Sequence, residues 1–294
     1  MNKKLKSIPK LSVSLTNHFD PPALPGNITC DSSNHTLKDI TSKYTETNIS
    51  LGQGAFKSAL LVKHNETGEY FVAFDFPHPK SSSSIKEICN FIRIFYNKLE
   101  KNSEQCLKNV LCPVDIGFVN QNVRFVTDYF KGVNLETWLE NNKCQEGYDD
   151  IKLTIMIKLI DALDDLHSKW NYTHHDIKPA NIMISVSEHE PEVAIIDIFG
   201  GCFDNQEDCN PMTDEKYRHI IDEVEYTNAD PDMYAMSKVF KDLIGAKWSG
   251  ETRGSFECKQ DLNDFEQKIY DLSEQMAMGA LTINEIKNRL HHLK

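Results

Sequence analysis

Asp176, Lys178, Asn181 and Asp197 are the residues whose types and spacing fit a single piece of chemistry. An aspartate can accept the proton of an attacking hydroxyl, and a lysine two residues on can neutralise charge on a moving phosphoryl group. An asparagine and a second aspartate supply the hard oxygens that Mg²⁺ prefers. Their order is His174-His175-Asp176-Ile177-Lys178-Pro179-Ala180-Asn181 and then, after a short apolar strand, Ile195-Ile196-Asp197. It fits phosphoryl transfer from a nucleotide. A polar loop carrying two incidental histidines does not account for acid, base and amide at these offsets. A metal site on His174 and His175 is disfavoured, because adjacent side chains on an extended loop diverge, and His174 is expected in the core.

The segment resembles the catalytic loop of eukaryotic-type protein kinases, H-R-D-x-K-P-x-N, with His175 in place of the arginine. The lysine at 178 is the serine/threonine form of that loop. Upstream, Leu51-Gly52-Gln53-Gly54-Ala55-Phe56-Lys57-Ser58-Ala59 is similar to the glycine-rich loop that folds over ATP phosphates, where glycine lets the backbone approach an anion. By itself a G-x-G is an ordinary tight turn; its place one lobe before the catalytic loop gives it meaning.

The elements that must position these residues follow in order. Leu60-Leu61-Val62, the turn Asn65-Glu66-Thr67-Gly68 and Tyr70-Phe71-Val72-Ala73-Phe74 read as two strands of a small antiparallel sheet. Apolar residues at Ile85, Ile88, Phe91, Ile92, Phe95 and Leu99 give a helical period. The resemblance makes this helix αC, with Glu87 as the carboxylate that pairs with the ATP-binding lysine; a solvated glutamate is the plainer alternative. Arg124 to Leu135 resembles the fifth strand and the adenine-binding hinge. The resemblance assigns nucleotide contacts to Gly52, Gly54, Ala59, Ala73, Thr127 as gatekeeper, Asp128, Phe130, Asn134 and Met183. Asn181 and Asp197 become the Mg²⁺ ligands.

Below the hinge, residues 150 to 168 carry a buried helical stripe leading into the catalytic loop. Asp232 to Phe240 resembles the central helix of the lower lobe, whose leading aspartate anchors the catalytic-loop backbone. Phe265 to Met276 and Leu281 to Leu293 close the chain as helices, the second with a capping box at Thr282 and Glu285. The expected architecture is α+β and bilobal: a flexible arm over 1–43, an upper lobe over 44–130 and a reduced lower lobe over 131–294.

Three departures from the family pattern carry information. The third-strand motif V-A-x-K reads Val72-Ala73-Phe74-Asp75, so the lysine is an aspartate. Lys57 stands at the third-glycine position, two residues before Ala59, and therefore on the same face of a strand. This resembles the With-No-Lysine kinases, in which G-x-G-S-F-K accompanies V-A-W-C; a solvated loop lysine is the alternative. An unpaired carboxylate at position 75 would oppose phosphate binding, so Asp75 is expected to be paired, turned away or protonated, with Lys57 on the adjoining strand as the obvious partner. After Asp197 the chain reads Ile198-Phe199-Gly200-Gly201 rather than Phe-Gly, which places an aliphatic side chain where the family's phenylalanine meets αC and shifts the glycine hinge by one residue. No Ala-Pro-Glu follows before Asp232, so the substrate platform is reduced.

Composition bounds the rest. The chain has 294 residues, 40% of them hydrophobic, enough for one bilobal domain and a tail. No apolar run reaches the length of a membrane span. A net charge of -12 argues against nucleic acid or an anionic membrane as partner. Eight cysteines without C-x-x-C, with Cys89, Cys112 and Cys202 in segments read as core or active-site loop, suggest reduced thiols and a cytoplasmic setting. His175 is a weak partner for a loop phosphate, and the loop carries Asp204, Glu207, Asp208, Asp214 and Glu215, so phosphate on Thr213 or Tyr217 would meet repulsion. The expectation is an ATP- and Mg²⁺-dependent serine/threonine kinase acting on a protein. The alternatives are a nucleotide-binding pseudokinase scaffold and a phosphotransferase acting on a small molecule.

Overall fold

The computed structural model describes residues 37–53, 58–76, 88–90, 92, 107–111, 113–120, 122–142, 147–186, 190–203, 217, 230–246 and 262–294. Its upper part is a six-stranded sheet of β1 (Lys38–Asp39), β2 (Tyr44–Gln53), β3 (Ser58–His64), β4 (Tyr70–Phe76), β5 (Pro113–Val119) and β6 (Asn122–Asp128). The spatial order is β1-β5-β6-β4-β3-β2. Every neighbouring pair is antiparallel except β1 with β5. The turn between β3 and β4 is closed by Gly68 at φ 74°, the left-handed region that glycine adopts without strain.

Alternation along the strands separates two faces. Val72 lies opposite Thr127 and Phe74 opposite Phe125, and these residues share the inner face with Phe76. Phe76 and Phe125 enter the main core with Ile88 and Ile92 of the αC segment, and Phe74 packs against that core. The outer face carries a second cluster of Ile40, Tyr44, Val62, Ala73, Val119 and Val126. Ile40 and Leu37 are buried, and Lys38 pairs with Gly117, so residues 37–43 belong to the folded body rather than to a flexible arm. Two apolar side chains three apart suffice to dock this segment, a signal too short to show in composition.

The lower part begins with β7 (Val133–Asn134), α1 (Leu135–Asn142) and α2 (Asp149–Trp170), followed by β8 (Tyr172–Thr173), β9 (Ile182–Val186), β10 (Pro191–Ile195) and β11 (Cys202–Phe203). The chain ends in α3 (Pro231–Ile244), α4 (Asp264–Ala277) and α5 (Ile283–Leu293). The expected stripe of α2 is buried at Ile155, Leu159, Ala162, Leu163 and Leu166. The capping box at Thr282 and Glu285 forms, and Asn263 with Glu266 makes a second one at the start of α4. Such caps stabilise a helix end by about 1 kcal/mol. Asp230 caps α3, its side chain accepting from the amides of Asp232 and Met233. Among the described residues, no helix is long and apolar enough to cross a membrane.

Candidate active site

The catalytic loop lies between β8 and β9 and is held from below. Asp232, fully buried at the start of α3, accepts from the backbone N–H of His174 at 2.6 Å and of His175 at 2.8 Å. His167 on α2 contacts the same carboxylate through Nε2 at 3.0 Å. Burial alone would raise the Asp232 carboxyl, but the hydrogen bond and charge of His167, with the His174 amide, hold it below its ordinary value. His174 is buried, as expected. Its Nδ1 accepts from the Asp176 amide at 3.2 Å, so Nε2 carries the proton that it donates to the Ile196 carbonyl at 2.9 Å. This bond ties the loop to the segment that bears Asp197. His175 adopts φ 62°, which turns the chain so that Asp176 leaves the core.

Asp176 is the centre of the arrangement. Its Oδ2 receives Asn181 Nδ2 at 2.6 Å and lies 3.0 Å from Lys178 Nζ. Asn181 Nδ2 also donates to the Asp176 carbonyl at 2.8 Å. Oδ1 is buried and has no hydrogen-bond partner among the described residues. Burial pushes the carboxyl above its ordinary value, and Lys178 and Asn181 draw it part of the way back. One oxygen is therefore fixed by two partners and the other by none among the described residues.

Asn181 ends a tight turn that starts at Pro179, and its carbonyl accepts from Ile196 N–H at 2.9 Å. With Ile182 opposite Ile195 in the β9–β10 hairpin, this bond places Asn181 beside the residues leading to Asp197. Both side-chain bonds of Asn181 use its nitrogen, which leaves its carbonyl oxygen for a cation. Asp197 sits at φ 60°, a left-handed conformation that aspartate tolerates better than most residues. An amide oxygen from Asn181 and a carboxylate from Asp197 are hard donors of the kind that fits Mg²⁺.

The roof departs from the sequence-based assignment. Gly52 is exposed and pairs with Ala59, which is opposite Phe74 and so on the inner face. Ala73 is fully buried in the outer cluster, so it does not join Ala59 over the cleft. Asp75 shares the outer face with Arg124, which lies directly across β6. The Arg124 guanidinium grips it twice, Nε to Oδ1 and Nη2 to Oδ2, both at 2.6 Å, and Nη2 reaches Glu46 at 2.6 Å. Asp75 is thus paired, with Arg124 as its partner among the described residues, and it lies on the outer face. The inner-face residue at this level of β4 is Phe74, whose ring packs edge-on against Phe199 at 6.3 Å.

Phe199 sets its ring against the sheet, since it also meets Phe125 at 6.1 Å. Ile198 is buried beneath, and its carbonyl accepts from the Tyr172 hydroxyl. Gly201 is needed for packing rather than as a hinge. A Cβ there would lie 2.3 Å from the Thr173 carbonyl oxygen. Asn90, in the αC segment, donates to the carbonyls of Phe199 at 3.2 Å and Gly201 at 2.7 Å. Nothing in the sequence around Asn90 marks this role, because both partners are more than a hundred residues away.

Thr127 is buried on the inner face at the end of β6, and Asp128 follows it, partly exposed. Phe130 is partly exposed beside Gly132. Asn134 caps α1 through Oδ1, which accepts from Thr137 N–H at 2.8 Å, and it pairs with Met183 across β7 and β9. Gly54, Lys57 and Glu87 lie outside the described residues. Tyr217 is buried and its hydroxyl donates to Asp242 at 2.7 Å. Cys89 and Cys202 are both disulfide-bonded, which corrects the expectation of reduced thiols there. Cysteine spacing along the chain carried no sign of this, since bonding depends on neighbours brought by the fold.

The protein kinase domain family model matches residues 45–278. Among curated proteins, none matches the chain. The match takes in most of the sheet, the loop that bears Asp176, the segment of Asp197 and α3, and by it the chain belongs to the protein kinase domain family.

Proposed function

We propose that the chain is a serine/threonine protein kinase that transfers the γ-phosphoryl of ATP, with Mg²⁺, to a protein hydroxyl. The observation that carries this reading is the Asp176 carboxylate, with Oδ2 fixed by Lys178 and Asn181 and Oδ1 buried without a partner among the described residues. In this reading Asp176 Oδ1 receives the hydroxyl and takes its proton. Lys178 neutralises charge on the phosphoryl oxygens during transfer. Asn181 and Asp197 would hold Mg²⁺, which when bound neutralises charge on the nucleotide phosphates. The serine/threonine assignment rests on Lys178. The test is transfer from labelled ATP·Mg²⁺ to generic protein substrates, with Asp176→Asn alongside; equal rates would reject the reading.

The cation usually supplied by β4 must come from elsewhere, because Phe74 stands on the inner face and Asp75 on the outer. Lys57 is the candidate, in the manner of the With-No-Lysine kinases: strand period gives it the face of Ala59. Lys57→Met should then abolish transfer. Full activity in that variant would reject the relocated-lysine assignment alone.

The Phe74–Phe199 contact favours a second reading, a nucleotide-binding pseudokinase scaffold, since an aromatic ring takes the place of a phosphate-binding cation. Binding of ATP·Mg²⁺ by the parent without transfer to any substrate, itself included, would favour it. A small-molecule substrate has no specific support in the described site.

A further inference from the structure

The kinase reading needs Asp197 held in place, and the usual tie between β4 and the αC segment through a lysine on the inner face is missing. We propose that Asn90 supplies that tie as a positioning residue, clamping the backbone that follows Asp197 to the αC segment. This rests on the proposed Mg²⁺-dependent function.

Asn90 is 1% exposed, and one amide nitrogen makes both bonds, to the Phe199 and Gly201 carbonyls. The same short stretch is fixed on its other sides. Tyr172 donates to the Ile198 carbonyl, and the Phe199 ring is lodged against Phe74 and Phe125. Gly201 lies too close to the Thr173 carbonyl oxygen for any side chain. Asn90 reaches this stretch from the αC segment, so through it the position of that segment is felt by the backbone at Asp197. A buried amide serves because it donates to two carbonyls without bringing a charge into the core. A lysine–carboxylate pair would require desolvation of both ions.

Asn90→Asp is the sharp variant, since it keeps the size and shape of the side chain but presents an oxygen to each carbonyl in place of the donor. Two measurements on the full chain decide between a clamp and a merely structural residue. In the absence of nucleotide and metal, hydrogen exchange of the 196–203 peptide should be about tenfold faster in Asn90→Asp, the equivalent of roughly 1.4 kcal/mol of local opening. With saturating ATP, thermal-shift titration should show the Mg²⁺ concentration for half-maximal stabilisation rising about tenfold, because the metal must then order its own ligand. If Asn90→Asp does not fold, Asn90→Ser, which keeps one donor, takes its place and should show smaller shifts of the same sign. Unchanged exchange overturns the clamp. Faster exchange with an unchanged Mg²⁺ midpoint also overturns it, since a merely structural residue behaves that way. A parent chain that shows no Mg²⁺-dependent response to ATP overturns the kinase reading, and this inference with it, whereas a responsive parent and an equally responsive variant overturn the inference alone.

Discussion

The floor of the cleft and its roof are built from the same chain by different rules. In the floor, Asp176, Lys178 and Asn181 fall within six residues of sequence and meet one another at 2.6 to 3.0 Å. In the roof, the assigned residues are spread over three strands, and register decides which of them faces the site. Ala59 and Ala73 end on opposite faces, and Asp75 turns outward to Arg124. A compact loop is legible from spacing, whereas a sheet can present either of its faces, so a one-residue difference reverses the meaning of a motif.

The largest expected effect tests the floor. Asp176→Asn should lower the transfer rate by about 10²- to 10⁴-fold, the range for a positioned proton acceptor, with ATP binding retained. Asp197→Asn should lose both the rate and the Mg²⁺ response, and a separate Mg²⁺ titration distinguishes the two variants.

Next comes the support beneath the floor. Asp232→Ala leaves the amides of His174 and His175 without their partner, at about 1–3 kcal/mol for each buried donor. Urea denaturation should show the loss directly. Activity should fall with it, in contrast to Asp176→Asn, which should remain folded.

The roof is broken at Arg124. Arg124→Met leaves Asp75 and Glu46 facing each other, but Glu46 is half-exposed and screened, so the cost should be about 1–3 kcal/mol rather than that of a wholly buried pair. Asp75→Asn should leave ATP affinity nearly unchanged, because this side chain is on the outer face. A marked gain in affinity would show that Asp75 reaches the phosphates and would undo the comparison between floor and roof.

The smallest effect is a pH dependence of stability. The folded-state value of Asp176 is raised above 3.8, mainly by burial, so its contribution is fully present below pH 3.8 and is lost as pH rises through the folded value. Asp176→Asn should therefore be more stable than the parent at neutral pH. The difference should shrink as pH falls toward 3.8, which thermal melts across that range can follow. Asp232, held below its ordinary value, has the opposite sign: its stabilisation is present above that ordinary value and fades as pH falls through the folded one.

Short-range order in the chain determined the catalytic loop, the helices and their caps, because hydrogen bonds within a few residues and a 3.6-residue period depend on neighbours in sequence. The buried stripe of α2, the capping box at Thr282 and Glu285, and the Asp176–Asn181 pairing all belong to this class. Only the tertiary structure decided the rest. Arg124 became the partner of Asp75, Phe199 set its ring against the sheet, and Asn90 reached Gly201 across 111 residues. Strand register and helix docking set these pairings, and they are chosen by burial summed over a whole face, a quantity that no local window of sequence contains.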